Sequence, residues 1–151
     1  MAPGNAASTA MGRLEPFIGE WVMEADLPSG PAAGTGRAIF EWALDGQFLI
    51  GRTVVPGAPD SIAIVGFDSA RQSYCQHYFD SRGIARVYAM DLSGGVWTLL
   101  RDSPDFTPLE FSQRFIGTFA ADGRRIDGRW ETARDGSAWE LDFHLSYVKA
   151  G

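Results

Sequence analysis

Three Asp-Gly pairs restrict the fold of this chain more than any other feature of its sequence: Asp45-Gly46, Asp122-Gly123 and Asp135-Gly136. An Asp-Gly pair supplies the positive φ angles that a two-residue β-hairpin loop requires. The segments between the pairs are short and rich in aromatic residues, and they alternate apolar with polar positions, as strands with one buried face do. The sequence therefore predicts a meander of short antiparallel strands.

This alternation defines about ten segments, each near the usual length of a strand. Residues 1–12 are small and polar and predict a disordered leader, residues 13–17 predict a short helical turn that plugs one end of a barrel, and residues 13–151 predict a single domain. We therefore expect an all-β protein, an up-and-down antiparallel meander that closes into a barrel of roughly ten strands. The predicted strands are residues 19–27, 36–44, 47–55, 61–67, 73–80, 84–92, 96–102, 111–121, 124–133 and 138–148.

Each Asp-Gly loop also predicts which residues face one another, because a two-residue turn fixes the register of its strands. In all three hairpins one face is apolar and the other carries charged residues, as in a sheet with one solvated face. The predicted apolar pairs are Trp42 with Leu49, Phe40 with Gly51, Phe115 with Trp130, and Phe143 with Gly128. The predicted pairs on the charged face are Glu41 diagonally with Arg52, Arg114 with Glu131, Asp142 with Arg129, and His144 with Asp127.

Charge and cysteine content argue against several classes of function. The chain of 151 residues has 19 acidic and 13 basic side chains, a formal charge of −6, and a field of that sign repels nucleic acids and anionic membranes. Cys75 is the only cysteine, so no internal disulfide forms, and the N-terminal residues lack the basic and apolar segments of a secretory signal. We expect a cytoplasmic protein, a monomer or homodimer, whose partner is a small hydrophobic molecule.

The start of the first predicted strand, Phe17-Ile18-Gly19-Glu20-Trp21, resembles the Gly-x-Trp motif of lipocalins, fatty-acid-binding proteins and nitrobindins, which form the calycin superfamily. Residues 76–83 and Arg86-Val87-Tyr88 look like segments of bacterial lipocalin-like members of that superfamily. The resemblance covers residues 17–148. It implies a lipocalin-like barrel whose cavity holds a small hydrophobic or amphipathic molecule, anions included, but it implies no reaction.

Arg86 and Tyr88 form the most specific candidate site. Their spacing of two places both side chains on one face of a strand. Closure of the hairpin at Ser81-Arg82 predicts that His77 lies opposite Arg86. An Arg-x-Tyr pair inside the barrel resembles the carboxylate clamp of fatty-acid-binding proteins, although there the pair lies on the last strand and here on about the sixth. Arg101 on the next strand is a candidate second cation. In the alternative interpretation, Arg86 points outward and pairs with an acid.

We expect a carrier or sensor of a small molecule, in which polar residues hold one end of the ligand and aromatic residues surround the other. The alternative is a cofactor-free isomerase, cyclase or hydrolase, with His77 as acid or base and with Tyr88 and Arg86 stabilising an oxyanion. The candidate polar residues are His77, Arg86, Tyr88 and Arg101, and the candidate aromatic residues are Trp42, Trp97, Phe115 and Trp130.

Haem binding is a further alternative, because His144 in Phe143-His144-Leu145 resembles a late-strand haem ligand of nitrobindins. The predicted register places His144 on the charged outer face, which favours a protein without a cofactor. His77, His144 and Cys75 do not have the spacing of a metal-ligand set, so the sequence predicts no metal site.

Overall fold

The computed structural model describes residues 6–27, 30–31, 35–134, 136 and 138–151. Within those residues the regular elements are one α-helix, one 3-10 turn and eleven strands. Their order is α1 (Ala6–Gly12), the 3-10 turn (Glu15–Phe17), β1 (Gly19–Leu27), β2 (Gly30–Pro31), β3 (Gly36–Ala43), β4 (Phe48–Val54), β5 (Ser61–Asp68), β6 (Ser73–Asp80), β7 (Ala85–Ser93), β8 (Val96–Arg101), β9 (Ser112–Phe119), β10 (Arg125–Ala133) and β11 (Glu140–Lys149).

These strands form one antiparallel sheet. From β3 to β11 each strand pairs with the next along the chain, β3 also pairs with β1, and the two-residue β2 lies beside β1. Hydrogen bonding between β1 and β11 closes the sheet into a barrel. The ten longer strands match the ten predicted segments to within two residues at each end. The predicted all-β up-and-down barrel is therefore confirmed.

The hairpins at Asp45-Gly46 and Asp122-Gly123 have the predicted registers. Their apolar pairs face the barrel interior, and their charged pairs lie on the outer face, where Arg114 and Glu131 approach to 2.5 Å. The confirmed pairs are Trp42 with Leu49, Phe40 with Gly51, Phe115 with Trp130, Arg114 with Glu131, and the Glu41–Arg52 ion pair. Asp-Gly loops therefore predict register correctly where no irregularity interrupts the strands that follow.

The third Asp-Gly hairpin has a different register. Beside the turn, Thr132 faces Glu140, which is already one position from the predicted register. A β-bulge between Trp130 and Glu131 adds a second position, so Trp130 faces Phe143 and Arg129 faces His144. The predicted pairs of Phe143 with Gly128, Asp142 with Arg129 and His144 with Asp127 are wrong for this reason. Because the shift amounts to two positions beyond the bulge, Phe143 keeps its predicted inward orientation.

The hairpin between β6 and β7 is shifted by one residue. Tyr78 faces Arg86, and His77 faces Val87, so the predicted pairing of His77 with Arg86 is wrong. The physical reason is the loop length: Gly83 adopts a φ of +83° and adds a third residue to the turn, which closes through Asp80 and Ile84.

The N-terminal segment covers one end of the barrel, which we call the closed end. Phe17, with no exposed surface, lies 4.9 Å from the ring of Trp97 and 5.5 Å from that of Phe40, measured between ring centroids. The predicted helical turn is thus confirmed. Within the segment predicted as a disordered leader, Ala6–Gly12 form α1, and Ala10 and Met11 are buried in the core. Residues 1–5 lie outside the described residues.

Candidate ligand-binding site

A cavity of about 290 Å³ lies inside the barrel. It extends from the closed end towards the opposite end, which we call the mouth and which carries the turn at residues 81–83. Its volume is near the lower limit of small-molecule pockets, about 300 Å³. Among the described residues that line it, there is no aspartate, glutamate or histidine.

The cavity wall is largely aromatic. Centroid distances of 4.8 to 6.5 Å join successive rings in an unbroken chain from the mouth to the closed end, in the order Tyr78, Tyr88, Trp130, Phe115, Trp97, Tyr147 and Phe40. Most of these pairs are edge-to-face or tilted, which is the preferred arrangement of aromatic rings. Phe143 also lines the cavity. Of the predicted aromatic residues, Trp97, Phe115 and Trp130 therefore lie on the wall.

Glycines behind the rings keep the cavity open. A Cβ on Gly128 would lie 2.6 Å from Cε1 of Phe115 and 2.9 Å from the carbonyl oxygen of Leu145. A Cβ on Gly51 would lie 2.7 Å from Cε1 of Phe40. These contacts are too short for any Cβ, so the two rings rest against bare backbone and leave the middle of the barrel empty.

Arg86 and Tyr88 both point into the cavity, as predicted from their spacing. Each donates a hydrogen bond of 3.1 Å to Oε1 of Gln113, Arg86 through Nη1 and Tyr88 through its hydroxyl. Gln113 lies on β9, which is separated from β7 in the sheet by β8. The Nε of Arg86 is buried and has no hydrogen-bond partner in the part of the chain that the structure describes. The guanidinium therefore retains unused donors beside the cavity.

The charge of Arg86 is not neutralised by any described residue. No ion pair joins it to a carboxylate among the described residues, and its partner Gln113 is neutral. Arg82, the other arginine on the cavity wall, differs in this respect. Its Nη2 lies 2.6 Å from the fully buried carboxylate of Asp80, which also accepts a hydrogen bond from Tyr78. The cavity therefore carries one uncompensated positive charge.

Tyr78 and Tyr88, near the mouth of the cavity, are neutral hydrogen-bond donors at physiological pH. Burial raises the pKa of Tyr88, an effect that the neighbouring Arg86 only partly offsets. Burial and the hydrogen bond to Asp80 raise the pKa of Tyr78 to about 12. Both phenols therefore keep their protons, and neither can serve as a base near neutral pH.

Arg101 is not the second cation of the cavity. Its guanidinium is 3% exposed and makes two hydrogen bonds of 2.9 Å to Asp105, with a further one of 3.0 Å to Thr107. Asp105 also accepts a hydrogen bond of 2.8 Å from the backbone N–H of Val87. The charge of Arg101 is therefore neutralised, and the pair fastens the loop after β8 to the start of β7.

Two other predicted site residues lie outside the cavity. His77 is exposed on the outer face, between Ile64 and Val87 in the sheet, because of the one-residue shift described above. Trp42 lies at the closed end and donates a hydrogen bond of 3.2 Å from its indole nitrogen to Glu15. Neither residue is part of the wall.

Sequence reasoning missed Gln113 and Tyr147 as site residues. Both have the same parity as predicted inward residues on their strands, since Gln113 is two positions before Phe115 and Tyr147 is four positions after Phe143. The alternation alone would have found them. The role of Gln113 as the shared acceptor for Arg86 and Tyr88 depends on the contact between β7 and β9 across the short β8, which the sequence does not reveal.

The residues present do not fit a haem held by His144 inside the barrel. His144 is exposed on the outer face, where it pairs with Arg129 on β10 and Asp26 on β1. His77 also lies outside, so neither histidine of the chain reaches the cavity. Within the described ranges, no group of three or more His, Cys, Asp or Glu side chains is arranged to hold a metal ion.

Comparison with known proteins supports the fold. The chain is similar to the protein in the crystal structure of Rv2717c from M. tuberculosis, with a TM-score of 0.62 and 14% sequence identity over 96% of this chain and 99% of that one. No family model matches the chain, and no curated protein matches it. In the part of the chain that the structure describes, no helix has the length and apolar character needed to cross a membrane. At this level of identity the likeness concerns the barrel architecture alone.

Proposed function

We propose that this protein binds a small amphipathic anion inside its barrel, as a cytoplasmic carrier or sensor of the calycin type. The observation that carries the proposal is the guanidinium of Arg86, which has no ion-pair partner among the described residues and lies on a cavity wall rich in aromatic rings, where the other cation, Arg82, is paired with Asp80. Arg86 is half-buried, and its Nε atom is fully buried. A cation that is partly removed from water without a counter-ion is unfavourable, and an anionic ligand supplies the missing partner.

The neighbours of Arg86 suit a carboxylate. The guanidinium has donors to spare beside its single bond to Gln113, and the buried Tyr88 hydroxyl lies at the same acceptor. Arginine binds carboxylates through two parallel hydrogen bonds, which are shorter and stronger than bonds between neutral groups. The aromatic wall beyond this polar group then receives the apolar part of the ligand, as in most small-molecule sites.

The enzymatic alternative lacks the residue that it assigned as acid or base. That hypothesis required a histidine next to Arg86 and Tyr88, and His77 is on the outer face. Tyr78 and Tyr88 do not replace it, because their raised pKa values make them poor bases near neutral pH. The arrangement favours binding without a reaction.

The proposal is tested by calorimetric titration of the purified protein with naphthoate, in the wild type and in an Arg86→Met variant. Loss of a charge-assisted contact of about 1.5–3 kcal/mol predicts affinity weaker by roughly 10- to 150-fold. Arg52→Met is the matched control, because Arg52 pairs with Glu41 on the outer face. Equal affinity in the wild type and Arg86→Met overturns the proposal.

A further inference from the structure

The size of the cavity limits the ligand to a compact molecule. A volume of about 290 Å³ is near the lower limit of small-molecule pockets, about 300 Å³, and favours a compact ligand over a long-chain fatty acid. Enlarging the cavity would require the Phe40 or Phe115 ring to leave the glycine against which it rests, and both rings are buried.

The shape of the wall favours a flat ring over a flexible chain. Tyr88, which shares its acceptor with Arg86, lies 5.7 Å from Trp130, and Trp130 lies 5.3 Å from Phe115. A carboxylate at Arg86 thus places the adjoining atoms of the ligand next to Trp130 and Phe115. Because these rings are tilted relative to one another, a ring of the ligand can contact the edge of one and the face of the other. Such ring pairs contribute binding free energy in addition to that of the apolar surface that they bury. A saturated chain gains only the burial.

We propose that the natural ligand is a compact aromatic carboxylate, one flat ring system with a carboxylate attached. This inference rests on the proposed function, in that the carboxylate is the group bound by Arg86. It goes beyond that function by assigning the apolar half of the ligand to the aromatic class and by excluding long-chain fatty acids.

Three probes with the same number of non-hydrogen atoms separate the two claims: naphthoate, its primary amide, and undecanoate. Each is titrated calorimetrically into the wild-type protein under identical conditions. Naphthoate is expected to bind at least about tenfold more tightly than undecanoate, because two or three new ring pairs each contribute roughly two- to tenfold. Apolar burial alone predicts the opposite order, because undecanoate is the more hydrophobic acid.

The outcomes are distinguishable. If undecanoate binds as tightly as naphthoate, the aromatic assignment is wrong and the anion site stands. If the amide binds as tightly as naphthoate, the anion site itself is wrong. Binding of none of the three probes contradicts both claims.

A pair of tryptophan variants gives a second readout. Trp130→Leu removes a ring from the wall and is expected to weaken naphthoate about three- to tenfold and undecanoate less than about twofold. Trp42→Leu removes a ring outside the cavity and is expected to leave both affinities unchanged. Circular dichroism verifies that each variant is folded. Equal losses for both acids in Trp130→Leu overturn the aromatic assignment.

Discussion

Arg86 on β7 donates a hydrogen bond of 3.1 Å to the side-chain oxygen of Gln113 on β9, and this partner carries no charge. Two other arginines at the mouth end of the barrel have ion-pair partners, Arg82 with Asp80 and Arg101 with Asp105. The difference among the three side chains separates structural cations from a cation that is available to a ligand. It also yields distinct predictions for each of them.

Removal of Arg101 is expected to destabilise the protein strongly. The Arg101→Met variant leaves the buried carboxylate of Asp105 without its cation, which costs about 3–5 kcal/mol of unfolding free energy. Urea denaturation monitored by tryptophan fluorescence measures the change. The exposed Arg52–Glu41 pair provides the comparison, and Arg52→Met is expected to cost no more than about 1 kcal/mol. A loss in Arg101→Met as small as that of the control would show that the buried pair does not anchor the loop.

Acid is expected to weaken the protein through Asp80. The hydrogen bonds from Arg82 lower the pKa of this carboxyl from 3.8 to about 2, with a further contribution from Tyr78. A pKa lowered by folding stabilises the folded state above about pH 4, and this stabilisation disappears as the pH falls towards 2. It amounts to about 1–2 kcal/mol, after allowance for the half-exposed Arg82.

The variant Asp80→Asn tests this linkage. Its unfolding free energy is expected to be lower than that of the wild type at pH 7 and to fall less steeply between pH 4 and pH 2. Asp45→Asn is the control, because the Asp45 carboxylate makes no ion pair or hydrogen bond with a described residue. Parallel curves for Asp80→Asn and the wild type would contradict the assignment.

A methyl group at Gly128 is expected to close part of the cavity. In Gly128→Ala the new Cβ would lie 2.6 Å from Cε1 of Phe115 and 2.9 Å from the carbonyl oxygen of Leu145, so both the ring and the β11 backbone must shift, at a cost of about 1–3 kcal/mol. Naphthoate binding should weaken as the space shrinks. Gly12→Ala at the end of α1 meets nothing within 4 Å and is expected to be neutral or slightly stabilising. A Gly128→Ala variant with wild-type stability and affinity would refute the role given to this glycine.

The barrel was predictable because Asp-Gly pairs mark several of its tight turns in the sequence. Asp45-Gly46 and Asp122-Gly123 fix two registers correctly, and alternation places Trp97, Phe115 and Trp130 inside. The failures have local causes that alternation does not contain. They are the bulge after Trp130, the third turn residue supplied by Gly83, and the buried apolar residues of α1 in a segment of mostly small and polar residues.

The candidate site was predictable only in part. Spacing correctly placed Arg86 and Tyr88 on one inward face, because two residues of the same parity share a face in any register. It could not predict which of the cations has a counter-ion, since the partner of Arg101 is four residues away in a loop and the partner of Arg86 is on another strand. The one-residue shift placed His77 on the outer face, away from Arg86 and Tyr88.

The central claim is that the free charge of Arg86 recognises the charge of the ligand. It is tested most directly by the ratio of the affinities for naphthoate and its neutral amide, measured by calorimetry in the wild type and in Arg86→Met. A charge-assisted contact predicts a ratio above about tenfold in the wild type that falls to about one in the variant. The same ratio in both proteins would show that Arg86 does not contact the carboxylate and would contradict its role in recognising the charge of the ligand.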